Sequence, residues 1–257
     1  MNERLDAYLS RRGFGSRSEV RDLIRAGAVT LDGRPMRDPA HHVAQAAVAV
    51  RGTVIIDGPA AATLILHKPI GYACSHDVRE APLLEELIPA ELRHLALEPA
   101  GRLDRATSGL IIVTTEGELI HALTNPRRKL VKRYRLTFSG RLSAHAVERC
   151  ASGIMLDGDP RPTLPAKLVL LDADNRGIGR AILLLGEGRY HQVRRMIAAL
   201  GGEVETLHRD RIGGLDLPSD LGPGMARELS EQERDLLLTV DGSAALPERP
   251  RSQPADD

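Results

Sequence analysis

The 257-residue chain is poor in cysteine and in aromatic residues, and it has no long apolar run. Its two cysteines, Cys74 and Cys150, exclude a disulfide-dense scaffold and a four-cysteine zinc ribbon. No apolar segment approaches the roughly 20 residues that a transmembrane helix needs. The charged segment 1–12 also lacks the apolar stretch of a secretory signal peptide. We therefore expect a cytoplasmic protein without a membrane partner.

The motifs of the common cofactor-dependent enzymes are missing too. The sequence contains no P-loop, GxGxxG, HExxH, CxxC or GxSxG pattern, which argues against NTP hydrolysis, dinucleotide redox chemistry and zinc proteolysis. His41 and His42 are adjacent, but no further ligand types lie close enough in sequence to predict a metal site. We expect neither a metal nor a cofactor.

The net charge of zero conceals an uneven distribution. The chain has 35 basic and 35 acidic residues, and only four of the basic ones are lysines. Residues 213–257 contain 4 basic and 10 acidic side chains, so residues 1–212 carry a net charge of +6. Arginine binds phosphate well, which fits a nucleic-acid partner, although codon bias predicts an arginine-rich chain equally well.

The hydrophobic pattern predicts an α+β protein with two domains and a tail. Residues 1–60 are predicted to form a small module with two helices, the second opened by a capping box, and a hairpin at an Asp-Gly turn. Residues 61–240 alternate strands and helices without a βαβ rhythm, which predicts a mostly antiparallel mixed sheet flanked by helices. Residues 241–257, rich in Pro, Arg, Ser and Asp, are predicted to be disordered.

Periodicity also predicts the elements of the second domain. Strands are expected at residues 63–67, 109–114, 132–139, 166–172, 180–186 and 203–212. Helices are expected at residues 117–124, 143–151, 190–200 and 231–239.

The first segment with candidate site residues is 99–116. Asp104 lies there between Arg102 and Arg105, on a predicted loop that precedes an apolar strand. Flanking cations favour an ionised carboxylate, and a carboxylate beside a rigid strand suits a nucleophile or a base. A turn residue paired with an arginine is the alternative interpretation.

The second segment is a basic strip at residues 127–135. Six of its nine residues are basic, none is acidic, and it includes Tyr134, one of only four tyrosines. A cationic strip with an aromatic ring fits contacts to phosphates and to a stacked base. A solvated basic face is the alternative.

The third segment is residues 187–197. His191, Arg194 and Arg195 are predicted to lie on the first turns of a helix with an apolar opposite side. Arg194 is expected to reach inward to a carboxylate, because a buried arginine needs a partner. The alternative is an amphipathic helix with arginines on its surface.

Taken in this order, the three segments resemble the motifs of the pseudouridine synthases, specifically the bacterial ribosomal RNA branch named for RsuA. Residues 101–104 resemble the active-site motif and place its catalytic aspartate at Asp104. Residues 132–134 resemble the second motif, and residues 188–196 resemble the third. Residues 3–43 are similar to the αL-type RNA-binding domain that a ribosomal small-subunit protein also contains.

The resemblance implies both a reaction and a set of roles. These enzymes isomerise a uridine of RNA to pseudouridine, breaking the N-glycosidic bond and rejoining the base through C5 without a cofactor. Asp104 would act on the ribose, either as a nucleophile at C1′ or as a base at C2′. Tyr134 would pack against the target base with Val193 beside it, and Arg194 would pair with the catalytic carboxylate.

The target base must leave its stack, so contacts to the surrounding RNA are also implied. Arg102 is expected to fill the gap or to hold a phosphate. The further residues predicted to bind RNA are Arg17, Arg21, Arg25, Arg105, Arg127, Arg128, Lys129, Lys132, Arg133, Arg189, Tyr190, His191 and Arg195.

The expected substrate is 16S ribosomal RNA, free or in a subunit assembly intermediate, and the expected state is a monomer. Residues 188–193 and 207–214 look most like the small-subunit type of the branch. An enzyme for 23S ribosomal RNA and a non-catalytic RNA-binding or ribosome-assembly factor are the alternative functions.

Overall fold

The computed structural model describes residues 3–12, 14–43, 46–55, 61–128, 130–173 and 178–239. The contacts divide the chain into two compact units. The first comprises Met1–Thr63, Ile88–Glu98 and Thr114–Glu116, and the second comprises Leu64–Leu87, Pro99–Val113 and Gly117–Asp257. The predicted tail at 241–257 lies outside the described residues. Within these ranges no helix is both long enough and apolar enough to cross a membrane.

The first unit combines short helices with a small antiparallel sheet. Its helices are α1 (Leu5–Arg11) and α2 (Arg17–Arg25), and its strands are β1 (Glu3–Arg4), β2 (Val29–Leu31), β3 (Arg34–Met36), β4 (His42–Val43), β5 (Val48–Val50) and β6 (Thr53–Ile55). The sheet order is β3-β2-β5-β6, and β1 pairs separately with β4.

Local sequence explains the first unit. The predicted capping box is confirmed: the Ser16 amide donates to the Glu19 carboxylate (2.7 Å), and the Glu19 amide donates to the Ser16 hydroxyl (3.4 Å). Asp32 and Gly33 both adopt positive φ, as a tight hairpin turn requires, and they join β2 to β3. The core is formed by buried aliphatic residues of α1, α2 and the sheet.

One carboxylate of the first unit is buried and fully paired. Asp6 is 1% exposed, and Arg4 (3.0 Å) and Arg21 (2.9 Å) donate to it. The hydrogen bond from Arg4 holds the pKa of Asp6 far below its usual range. Arg21 therefore has a structural partner inside its own unit.

The second unit is built on one mixed sheet with helices packed against it. Its strands are β7 (Thr63–Lys68), β8 (Glu98–Pro99), β9 (Ser108–Thr114), β10 (Lys132–Gly140), β11 (Lys167–Ala173), β12 (Gly179–Leu185), β13 (Gly202–Ile212), β14 (Leu215–Asp216) and β15 (Ala226–Glu228). Its helices are α3 (Gly117–Thr124), α4 (Ala146–Ser152), α5 (Gln192–Ala199) and α6 (Glu231–Leu238). Turns of 3-10 helix lie at Val78–Glu80, Leu84–Leu87 and Pro126–Arg128 in this unit, and at Ala90–Leu92 in the first unit.

The sheet order is β11-β12-β10-β13-β9-β7-β15, with β14 beside β13 and β8 beside β9. Strands β10, β11, β12 and β13 pair antiparallel, whereas β13 and β9 run parallel. The predicted α+β class with a mostly antiparallel mixed sheet is confirmed. Strand β10 alternates as predicted: Tyr134, Leu136 and Phe138 are buried on one face.

Two predicted helices begin later than expected. The helix expected at 143–151 starts at Ala146, and the helix expected at 190–200 starts at Gln192. His191 has a φ of 47°, in the left-handed region, so the helical backbone cannot extend through it. Tyr190 and His191 consequently belong to the loop before α5.

The parallel contact between β9 and β13 depends on a glycine. Gly109 has a φ of +121°, and a Cβ atom at this position would lie 2.1 Å from the carbonyl oxygen of Arg209. Gly158 also has a positive φ (+75°), but a Cβ there would meet nothing within 4 Å. A comparison of substitutions at the two glycines therefore distinguishes the cost of backbone strain from the cost of steric overlap.

Gly109→Ala is expected to lower the free energy of unfolding by roughly 2–5 kcal/mol, because strain and overlap add. Gly158→Ala is expected to cost only about 1 kcal/mol, from strain alone. Chemical denaturation followed by circular dichroism measures both values. Equal losses in the two variants would contradict the overlap at Gly109.

Candidate active site

The loop that carries Asp104 is held in place by a buried lysine. Lys68, at the end of β7, is completely buried and donates to the carbonyl oxygens of Thr107 (2.8 Å), Pro69 (3.0 Å) and Arg105 (3.4 Å). Burial lowers the pKa of its ammonium group. The carbonyl dipoles compensate the buried charge, and two of them belong to the Asp104 loop.

Asp104 itself is partly exposed, and a histidine side chain lies close to its carboxylate. The Nε2 atom of His191 lies 3.5 Å from a carboxylate oxygen of Asp104. The His191 ring stacks on Tyr190, with 3.9 Å between centroids and 15° between planes. A left-handed, non-glycine residue is strained, and strain of this kind is concentrated at functional sites. Sequence analysis assigned His191 only to RNA contacts, so its place beside Asp104 was missed.

Arg194 does not make the contact that the resemblance implies. Its guanidinium donates to the carbonyl oxygens of Val204 (3.1 Å) and Ala106 (3.2 Å), and no ion pair joins it to Asp104 in the described part of the chain. On the first turn of α5, the side chain passes between β13 and the loop, while His191 lies beside the carboxylate. Arg194 thus supports the loop through its backbone.

A cavity of about 800 Å³ is formed entirely within the second unit. This volume falls in the range of small-molecule and nucleotide sites. The predicted site residues that line it are Arg102, Asp104, Arg105, Lys132, Tyr134, Arg189, Tyr190, His191 and Val193. Among the described residues of this unit, Arg127, Arg128, Arg133, Arg194 and Arg195 do not line it. Lys129 lies outside the described residues.

The floor of the cavity is one face of the sheet. Lys132 and Tyr134 lie two residues apart on β10, and Leu207 and Arg209 lie two residues apart on β13. Each pair therefore projects from one face of its strand, and all four residues line the cavity. Tyr134 and Arg209 are directly opposite one another in the antiparallel pairing. Side chains at such positions project from the same face about 5 Å apart. The ring of Tyr134 is therefore flanked by two cationic side chains.

The sequence motifs do not point to Arg209, although it is the largest fully buried side chain among the described residues. It is 2% exposed, and its Nε donates to the carbonyl oxygen of Leu110 (2.9 Å). Its Nη2 atom is buried and has no hydrogen-bond partner among the described residues. Burial, together with the charge of Arg209, lowers the pKa of Lys132 to about 8. The available signal was Leu207, because an apolar residue two positions before Arg209 on one strand places the arginine on the same, buried face.

Part of the predicted basic strip is neutralised by carboxylates of the same unit. Arg133 donates to Asp210 (2.8 and 3.0 Å) and to Asp216 (2.8 Å). Arg135 also bonds to Asp210, and Arg211 bonds to Asp216 (2.6 and 2.7 Å). Arg133 therefore ties strands together, and little of its charge remains for a phosphate.

Two arginines of the third segment are paired as well. Arg189 and Arg195 both donate to Asp159, at 3.0 and 2.8 Å, and Arg189 also lies 3.3 Å from Glu187. Their hydrogen bonds hold the pKa of Asp159 below its usual value. These arginines fix the loop before α5. By contrast, the exposed arginines without an ion pair in the described ranges include Arg17, Arg102, Arg127 and Arg128.

Comparison with known proteins gives consistent matches over both units. The profile of the family described as RNA pseudouridylate synthase matches residues 62–199, and the S4 domain profile matches residues 3–47. "Ribosomal small subunit pseudouridine synthase A" of Pasteurella multocida is 36% identical over 231 residues, covering 90% of this chain and 97% of the relative. The protein of the same name from Escherichia coli strain K12 is 35% identical, with the same coverage.

Two further comparisons extend this result. "Uncharacterized RNA pseudouridine synthase YtzG" of Bacillus subtilis is 36% identical over 237 residues, covering 91% of this chain and 98% of the relative. A crystal structure of a pseudouridylate synthase covers 91% of this chain and 99% of its own, at 33% identity and a TM-score of 0.63.

The fold and the matches define an RNA-modifying isomerase with an attached S4 domain. Within that class, the chain belongs to the RNA pseudouridylate synthase family. The resemblance predicted from the three sequence motifs is confirmed.

The role of Lys68 in holding the loop is testable through stability. Lys68→Met removes the donor that three carbonyl oxygens share, and that of Thr107 is buried, so we expect the free energy of unfolding to fall by roughly 2–4 kcal/mol. Hydrogen exchange at the Thr107 amide, which donates to the Asp104 carbonyl oxygen (2.9 Å), should accelerate. Exposed Lys167→Met is the matched control and should change neither quantity. Unaltered exchange in Lys68→Met would refute the clamp.

Proposed function

We propose that this protein isomerises a specific uridine of 16S ribosomal RNA to pseudouridine, with Asp104 as the essential carboxylate. The observation that carries the proposal is the cavity with Asp104 on its wall and Tyr134 on its floor. A uridine extruded from its stack fits this volume, with its base against the ring and its ribose near the carboxylate.

The reaction requires the protein to position the uridine and to supply a charged carboxylate. The C1′–N1 bond breaks, the base turns, and C5 bonds to C1′, so that substrate and product are isomers. Asp104 acts either as a nucleophile at C1′ or as a base at C2′, and its loop is fixed from behind by Lys68 and Arg194. Val193 also lines the cavity, where it would support the apolar side of the base.

The small-subunit substrate is supported by the relatives. Proteins named as small-subunit pseudouridine synthase A match about nine-tenths of this chain. We infer that the substrate is 16S ribosomal RNA, free or in an assembly intermediate. We further infer that the protein works as a cytoplasmic monomer. Residues 1–60 would dock on RNA, and residues 61–240 would perform the reaction.

Asp104→Asn is expected to abolish pseudouridine formation, because an amide neither attacks C1′ nor removes a proton from C2′. RNA affinity should stay within about threefold. Release of tritium from ribosomal RNA labelled at uridine C5 measures turnover, and filter binding measures affinity. Asp220→Asn, an exposed substitution, is the control and should retain full activity. Turnover in Asp104→Asn would eliminate the assignment.

The same assay separates the candidate substrates. Tritium release from 16S but not 23S RNA is expected, and the reverse would assign the protein to the large subunit. No release from either RNA or from assembly intermediates would favour a non-catalytic binding factor.

The docking role of the first unit is tested by salt dependence. Arg17 and Arg25 are exposed on α2, whereas Arg21 is held by Asp6. Arg17→Ala combined with Arg25→Ala should reduce the slope of log affinity against log salt by about 1–2. Arg141→Ala combined with Arg149→Ala removes the same charge from exposed sites of the second unit. Equal effects of the two double variants would show general attraction and would contradict docking by α2.

A further inference from the structure

Two cations on the cavity floor have no anionic partner. Neither Arg209 nor Lys132 forms an ion pair within the described ranges, and the Nη2 atom of Arg209 is buried without a hydrogen-bond partner. The Oγ1 atom of Thr107, which also lines the cavity, is buried and unpartnered as well. Burying like charges together is costly unless an anion or a polar ligand compensates them. Asp104, Glu80 and Glu187 line other parts of the cavity, so the part of the floor beside Tyr134 is the part suited to a group with negative charge.

The geometry places these cations beside the ring on which the base would rest. Arg209 is opposite Tyr134 on the neighbouring strand, and Lys132 lies two residues from Tyr134 on the same face. A base stacked on Tyr134 would extend its edges over its neighbours on the sheet, about 5–7 Å away. The groups at the edge of uracil are its carbonyl oxygens O2 and O4.

We propose that Arg209 and Lys132 bind the carbonyl oxygens of the target uracil and stabilise the negative charge that the base carries when its glycosidic bond breaks. This inference rests on the proposed function and assigns two further catalytic residues to the same site. The main donor is the Nη2 atom of Arg209, because a fixed donor in a site with little water stabilises charge strongly.

The charge follows from the electron balance of the reaction. When C1′–N1 breaks, the electron pair stays on the base, and the charge is shared between N1, O2 and O4. This holds whether Asp104 bonds to C1′ or takes the proton from C2′. When C5 bonds to C1′, the base gives up its negative charge; on the first route the Asp104–C1′ bond breaks at this point, and on the second route Asp104 returns the proton to C2′. C5 then loses its proton and N1 gains one. The cations therefore act between the two bond changes.

A phosphate group fits the same cations less well. A phosphate within RNA is connected on both sides and must stay near the mouth of the cavity. Arg209 is 2% exposed and reaches only a group inside it. The exposed Arg102 is better placed to bind a phosphate of the RNA backbone.

The first test replaces Arg209 in the complete protein. Arg209→Met should lower the single-turnover rate constant about 10²–10³-fold, with RNA affinity within about threefold of the parent. Arg209→Lys keeps a cation, and its single-turnover rate constant should be at least tenfold higher than that of Arg209→Met. Arg180→Met is the control, since Arg180 lies on β12 with its charge paired to exposed Asp172, and it should be neutral.

The second test varies the stability of the leaving base. In 5-fluorouridine RNA the fluorine itself stabilises the uracil anion, so the protein cations matter less. Cleavage of the original glycosidic bond is followed by digestion to nucleosides and chromatography. We expect the rate deficit of Arg209→Met, relative to the parent protein, to shrink at least fivefold on this substrate. Lys132→Met, which removes no observed hydrogen bond, should show a smaller deficit that shrinks likewise.

The outcomes are distinct. Equal deficits on both substrates would mean that the residues only maintain structure, and would overturn the proposal. Weaker RNA binding with an unchanged rate constant would assign the cations to a phosphate and would also overturn it. If Arg209→Met does not fold, the Lys132→Met comparison alone decides. Absence of turnover in the parent protein would instead refute the proposed function.

Discussion

The close approach of β9 to β13 at Gly109 is the constraint on which the active site depends. A side chain at this position would overlap the backbone of Arg209, so only glycine allows the two strands to run parallel here. The contact fixes the strand that follows the Asp104 loop. It also seats Arg209 opposite Tyr134 on the cavity floor. Wall and floor are thus joined through one backbone contact.

The distribution of charge explains why a neutral chain can serve an RNA substrate. Many surface arginines are neutralised by carboxylates of the same fold, as Arg133 is by Asp210 and Asp216. Within the described residues, uncompensated positive charge remains on the cavity floor and on exposed arginines of both units, for example Arg17, Arg34, Arg102 and Arg141. A buried cation costs free energy unless dipoles or a ligand stabilise it. At Lys68 the compensating dipoles are backbone carbonyls. At Arg209 the Nε atom has a hydrogen-bond acceptor, whereas the buried Nη2 atom has none among the described residues.

Sequence reasoning predicted the features that local chemistry determines. The alternation of β10, the capping box of α2 and the motif at Asp104 depend on neighbouring residues, and they needed no knowledge of the fold. Side-chain partners were harder to predict, because they join distant segments. Arg209 donates to Leu110 across almost a hundred residues, and the partner of Arg194 is a carbonyl oxygen rather than a carboxylate. The left-handed backbone of His191 likewise cannot be predicted from the type of residue at this position.

The carboxylate of Asp104 is positioned without being neutralised. Lys68 and Arg194 act on backbone carbonyls of its loop, and neither forms an ion pair with the carboxylate within the described residues. A direct guanidinium pair would hold the oxygens as firmly, but it would also neutralise their charge. His191, 3.5 Å away, is a more distant neighbour than a direct ion pair would be. The cations behind the loop and on the cavity floor therefore leave the carboxylate oxygens of Asp104 accessible at the cavity wall.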